Sequence, residues 1–96
     1  MKEEISKSRF MDRFKEMGRE WQFSYDGLSA LYDYLEELDE NYELDVIALC
    51  CEYAEYKSLE DFQKDYDKQK YPDLESIRNS TALIDVEGGG FIIQGF

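Results

Sequence analysis

Ninety-six residues carry 23 acidic side chains against 11 basic ones and no histidine, a formal net charge of −12, with 43 % hydrophobic and 16 % aromatic residues. That length suits one domain over residues 1–96 with one modest core, and the apolar content excludes a disordered chain despite its 35 % charged residues. The charge excludes nucleic acid and anionic lipid as direct partners, because phosphate binding needs basic patches. The longest apolar run, Val46 to Cys51, is too short to span a bilayer.

Residues 8–17 read as a first helix, with Ser8 as N-cap, Phe10, Met11, Phe14 and Met17 at helical spacing, and Gly18 just past the end. The lead Glu3-Glu4-Ile5-Ser6 reads as a small edge strand. After Ser24, a second helix is expected from Tyr25 to Leu38, where Leu28, Leu31, Leu35 and Leu38 make one apolar stripe. The period then changes. Residues 43–54 hold a continuous apolar run with β-branched members, so a central strand covered on both faces is expected there.

Ser58-Leu59-Glu60-Asp61 has an N-cap followed by acids in the first turn, and Leu59, Phe62 and Tyr66 mark a short third helix. Pro72-Asp73 opens a further helical turn with Leu74 and Ile77 inward. Thr81 to Val86 and Phe91 to Phe96 are strand-like and joined by Glu87-Gly88-Gly89-Gly90, a hairpin signal. The expected fold is α+β: a three-stranded antiparallel sheet, made of the central strand and the C-terminal hairpin, packed with three to four helices.

The charge is concentrated. Residues 20–61 hold thirteen acids and a single base, Lys57, and so carry the whole formal imbalance. Trp21, Phe23, Tyr25, Tyr32, Tyr34, Tyr42, Tyr53 and Tyr56 interleave with those acids. On the second helix, Asp26, Asp33, Glu37 and Glu40 share one face away from the leucines, with Glu36 and Asp39 beside it. Carboxylates three or four residues apart stand ~5–6 Å from one another on a helix, comparable to successive phosphates along a nucleic-acid strand. Glu36, Glu37, Asp39 and Glu40 crowd the helix's C-terminal end, where each is disfavoured by up to ~0.3–1 kcal/mol. A local rule broken without a neighbouring base marks a candidate working surface. Glu43, Asp45, Glu52 and Glu55 lie at the ends of the expected strand and extend that surface if the strand ends sit beside the helix. A solvated face that only keeps the protein soluble is the competing reading.

Other chemistry finds little support. Asp39-x-Asn41-x-Glu43-x-Asp45 has the spacing that opens a calcium loop, but Leu44 stands where glycine is needed and Cys50 where a bidentate glutamate belongs. Cys50 and Cys51 would point to opposite strand faces, too divergent to chelate one metal or join in an unstrained disulfide, and are expected as buried small hydrophobes. No histidine activates either thiol. Reduced thiols and a charged N-terminus without an apolar h-region lead to an expected cytoplasmic location. Acid pairs are too common on such a surface to indicate glycosidase-type catalysis, and Gly88-Gly89-Gly90 lacks the lysine and helix of a phosphate loop. No enzyme activity, metal or cofactor is expected.

Two long stretches, Phe23-Ser24-Tyr25-Asp26-Gly27-Leu28-Ser29-Ala30-Leu31-Tyr32-Asp33-Tyr34-Leu35-Glu36-Glu37-Leu38 and Glu43 to Tyr53 running on to Glu55-Tyr56, together with Phe91-Ile92-Ile93-Gln94, resemble a group of small acidic proteins encoded by bacteriophages and other mobile elements. The resemblance brings no catalytic residues. It implies a small protein made inside an infected bacterium and, by analogy, an anti-CRISPR or antirestriction type of factor. The expected function is then a non-enzymatic inhibitor that offers a DNA-mimic-like surface to a basic nucleic-acid-binding protein of the host. Asp26, Asp33, Glu36, Glu37, Asp39, Glu40, Glu43, Asp45, Glu52, Glu55, Tyr32 and Tyr34 are its candidate contacts. The alternative is a structural or regulatory module, a homodimer included, that uses an apolar contact or the edge of the 81–96 hairpin, with the acids serving solubility alone.

Overall fold

A computed structural model of the protein describes residues 5–19, 21–39 and 41–95. Among the described residues, five helices and three strands succeed one another as α1 (Lys7–Glu16), α2 (Tyr25–Leu38), α3 (Val46–Glu52), β1 (Tyr53–Tyr56), α4 (Leu59–Gln63), α5 (Leu74–Arg78), β2 (Leu83–Asp85) and β3 (Phe91–Gln94). The strands form one antiparallel sheet in the order β1-β3-β2. The fold class is α+β, as the sequence implies.

Side-chain caps set most helix starts. Ser24 accepts a hydrogen bond from the Gly27 N–H at the head of α2, Ser58 does the same for Asp61 in α4, and Asp73 closes a capping box with Ser76 in α5. Helix α1 begins earlier than its spacing suggests, because Ser6 and not Ser8 is the cap, accepting from the Arg9 N–H at 3.2 Å. Ile5 and Ser6 are not strand, and Glu3 and Glu4 lie outside the described residues. In the hairpin, Gly88 and Gly89 take φ of 97° and 101°, and the Val86 N–H donates to the Gly90 carbonyl at 2.9 Å. Phe96, at the end of the expected second arm, is also outside the described residues.

The main correction concerns residues 43–54. Val46–Glu52 is helix α3, and the strand starts only at Tyr53. Asp45 caps α3 by accepting the Ala48 N–H at 3.1 Å, and Val46 and Leu49, three apart, bury their side chains while Ile47 stays 40 % exposed. A strand covered on both faces would have buried all three. The centre of the sheet is β3 instead, whose Phe91, Ile92 and Ile93 are buried with 0–1 % exposure. The cysteines change with the element: Cys50 is half-buried and Cys51 exposed on α3, so they are not the buried pair that a strand implied.

Alternation along the strands sorts the core into two layers. Tyr53, Ile84, Val86 and Ile92 pack with Phe10, Phe14, Leu31, Leu35 and Leu49 from α1, α2 and α3. Tyr56, Leu83, Phe91 and Ile93 pack on the opposite face with Phe62, Tyr66, Tyr71 and Ile77. There Phe62 and Tyr66 stack at 4.4 Å, and Tyr56 and Tyr71 meet Phe62 edge-on. Arg78 of α5 reaches Asp85 on that same side at 3.0 Å.

Glu55 shares the inner face of β1 with Tyr53 and ties the sheet to α2. Its carboxylate accepts the Ser24 N–H at 2.8 Å and the Ser24 hydroxyl at 2.6 Å, while a Cβ on Gly27 would fall onto that same carboxylate. The site is charge-matched, since the N-terminal end of a helix favours an anion. Ala is better than Gly in a helix interior by roughly 1 kcal/mol, yet a Cβ at Gly27 pushes the Glu55 carboxylate off both Ser24 hydrogen bonds, so Gly27→Ala is destabilising here by about 1–2 kcal/mol in denaturant unfolding. Glu55→Ala vacates the space, so Gly27→Ala added to that variant becomes neutral or stabilising. The same penalty in both backgrounds would show that Glu55 does not fill the position.

Candidate functional site

Helix α2 buries Gly27, Leu28, Leu31 and Leu35 and turns Asp26, Asp33 and Glu37 outward. Those three lie seven and four residues apart, on one exposed stripe rising ~1.5 Å per residue. Among the described residues neither Asp26 nor Glu37 enters an ion pair. Asp33 does: Lys7 of α1 crosses to it at 3.0 Å and also donates to the Ser29 hydroxyl at 2.9 Å. Two other α1 bases turn inward on their own helix, Arg9 and Arg13 both reaching Glu16, at 3.2 and 3.8 Å. A base from the N-terminal segment therefore covers the middle of the stripe and leaves its two ends. Glu40 lies outside the described residues.

The two candidate tyrosines flank the stripe. Tyr32 is half-buried and leans towards α1, its hydroxyl donating to the Ile5 carbonyl at 2.7 Å and its ring meeting Phe10 edge-on. Burial raises its pKa, as do the negative charges of Glu36 and Asp33, and Lys7 opposes them. Tyr34, also half-buried, leans the other way and meets Tyr53 edge-on at 6.4 Å. These rings brace α2 before they offer anything to a partner.

A second acidic group forms where α3 and its leading loop return. Asp39 accepts the Asn41 N–H at 2.9 Å in a local turn, and Asp45 is occupied on one oxygen as the α3 cap. Glu52, exposed at the end of α3, joins Asp45 around Tyr42, whose pKa rises first through burial and then through those two charges. Tyr53 is pushed up to about 12 by burial, with Tyr34, Tyr42 and Glu52 adding to it. Tyr34, Tyr42 and Tyr53 pack in the same core layer, with Tyr42 beside the Asp45 and Glu52 group. Glu43 is exposed and faces the end of α1. Glu55 belongs to neither group, since its carboxylate is committed to Ser24.

The calcium-loop spacing does not gather its ligands: Asp39 and Asp45 serve separate backbone turns, and among the described residues no group of three or more acids or cysteines is placed to hold a metal ion. Burial raises the Cys50 thiol pKa, with Arg19 opposing. No helix among the described residues is long and apolar enough to cross a membrane. Two features escaped the sequence. Trp21 and Tyr25 are 71 % and 74 % exposed ahead of and at the start of α2, and a cleft opens between the end of α1 and the loop before α3. Comparison of the chain with family models, with curated proteins and with solved structures found no match.

Tyr53 and Tyr56 give the layers an alkaline signature. Tyr56, on the opposite face, is likewise pushed up to about 12, by burial and by its hydrogen bond to Asp65 at 3.2 Å. A folded-state value above the unfolded value of about 10 means that the native state holds the proton more tightly. The resulting stability is complete below about pH 10 and disappears as pH rises towards about 12. Urea unfolding across that window should show the loss, and Tyr53→Phe together with Tyr56→Phe should flatten it. A slope unchanged in the double variant would assign the alkaline transition to other groups.

Proposed function

We propose that this chain is a non-enzymatic inhibitor that presents the acidic side of α2 and α3 to the basic nucleic-acid-binding site of a bacterial defence protein. The observation that carries the reading is the exposed α2 stripe: Asp26 and Glu37 point outward without an ion pair among the described residues, on a helix pinned at its N-terminus by Glu55. Carboxylates held at helical spacing on a rigid support substitute for phosphates opposite lysine and arginine, and the net charge of −12 speeds encounter with a basic cleft. The contact set differs from the one the sequence suggests. In this reading Asp26, Glu37 and Glu52 provide the working charge, Glu36 and Asp39 adjoin Glu37 at the end of α2, Asp45 is the α3 cap, Asp33 is shared with Lys7, and Glu55 is structural.

One observation favours a second reading. Trp21, Tyr25 and Leu38 expose 71 %, 74 % and 62 % of their surfaces, which suits an apolar contact with the acids as solubilisers. Salt separates the two, because a charge-driven complex weakens as ionic strength rises and an apolar one does not.

The test uses the immobilised chain and a bacterial lysate at low and moderate salt, followed by duplex-DNA binding by each captured protein with and without the free chain. The expected result is capture of a DNA-binding protein that weakens with salt, loss of its DNA binding when the chain is added, and at least tenfold weaker affinity for Asp26→Asn/Glu37→Gln/Glu52→Gln. Tenfold corresponds to about 1.4 kcal/mol. Binding that ignores both salt and the triple substitution would overturn the mimic and establish the apolar contact.

A further inference from the structure

The cleft at the end of α1 combines two features that the acidic stripe lacks, an apolar lining and a concave shape. It measures about 400 Å³, within the range of small-molecule and side-chain pockets. Met17, Leu44 and Val46 supply apolar lining, and Met17 is 51 % exposed although nothing polar about it favours water. Around them stand Glu16, Glu43 and Asp45, with Arg13 on the α1 side.

The lining holds three acids and one base. Glu16 is already matched by Arg9 and Arg13. Asp45 has one oxygen on the Ala48 N–H, and Glu43 is likewise already engaged. A carboxylate offers about four lone-pair sites in all, so one that already has a partner can still accept from a guanidinium. The complementary occupant has an apolar stem and a cationic head able to engage two carboxylates. A small metal ion would leave the apolar lining unused, and an aliphatic side chain would leave the carboxylates unused. Arginine fits best, because its three-carbon stem packs on apolar surface while its planar guanidinium forks between carboxylate oxygens.

We propose that the cleft formed by Met17, Glu43, Leu44, Asp45 and Val46 receives an arginine side chain of the basic partner. The proposal rests on the acidic-surface reading above and deepens it. Long-range attraction to the stripe orients the partner, and one seated arginine fixes the register.

The test needs no knowledge of the partner. The probe is a blocked Gly-Arg-Gly tripeptide, compared with the same peptide carrying lysine or norleucine at the centre, titrated into the full chain and followed by methyl NMR of Met17, Leu44 and Val46. The arginine peptide should give saturable shifts at all three residues, with at least threefold weaker binding for lysine and none for norleucine. Glu43→Gln/Asp45→Asn should weaken arginine binding at least fivefold. Asn caps a helix as well as Asp does, so α3 is kept, and Glu43→Gln alone provides a second variant that leaves the Asp45 cap untouched.

Asp26→Asn/Glu37→Gln, outside the cleft, should change the cleft affinity by less than twofold. Equal shifts with norleucine, equal binding by lysine, or shifts insensitive to Glu43→Gln/Asp45→Asn would each overturn the arginine pocket. Those failures would leave the acidic-surface reading standing, because that reading is decided separately by the Asp26, Glu37 and Glu52 substitutions.

Discussion

The contact between Glu55 and the head of α2 is the constraint on which the acidic surface depends. A sheet and a helix that touch only through leucines can slide by a fraction of a turn at little cost, since hydrophobic contact is not directional. Two hydrogen bonds to Ser24, at 2.8 and 2.6 Å, remove that freedom, and the missing Cβ at Gly27 lets the carboxylate come close enough to make them. The same carboxylate places a negative charge where the helix dipole is positive. Lys7 adds a second tie further along, reaching both Ser29 and Asp33 from α1. With the helix referenced to the rest of the fold at two points, the backbone that carries the outward stripe is held in register.

The rest of α2 is arranged against its own electrostatics. No base lies in its last turn, Glu36 and Glu37 lie there instead, and Asp39 is the C-cap. Each acid so placed costs up to ~0.3–1 kcal/mol, and mutual repulsion adds to that. Such a cost is supportable because the apolar side is complete: Leu31 and Leu35 are 0 % and 1 % exposed, and Phe10 and Phe14 from α1 close over them. The sheet provides the second anchor, with β3 buried on both faces between two core layers. Stability is supplied on one side of the helix and spent on the other.

How much of this could be read from the chain depends on where the deciding contact lies. Helix α2 was legible because everything that defines it is local: Ser24 as cap, leucines three and four apart, acids opposite them. The hairpin was legible for the same reason, its glycines falling between two apolar arms. Residues 46–52 were not, because the six-residue apolar run from Val46 to Cys51 has the length of a buried strand as well as of nearly two helical turns. The discriminating signal was Asp45, an N-cap whose meaning depends on the conformation of the residues after it, while the pairing positions on β3 are taken by residues 53–56 and 83–85. Among the site residues, Asp26, Asp33 and Glu37 came directly from helical geometry. The commitment of Glu55 to Ser24 spans 31 positions and has no local trace. Lys7, an ordinary charge in a mixed segment, gives equally little sign that it will sit on Asp33, 26 residues away.

The same distance effect hid the cleft. Met17 closes one helix, and Glu43 to Val46 is the entry to another; only tertiary packing brings them together. This arrangement separates two tasks that a uniformly charged surface would merge. An open stripe of carboxylates acts over roughly a Debye length, ~8 Å at physiological ionic strength, and is indifferent to the exact position of the opposing charges. A cleft of about 400 Å³ with an apolar lining, as proposed for an arginine, would act only on contact and select by shape. Attraction at a distance sets the rate of encounter, and desolvated contact sets how long the partners stay together. Acids placed for solubility alone have no use for a matched cleft, so a seated arginine would add register to the proposed complex, while the functional reading itself rests on the Asp26 and Glu37 stripe.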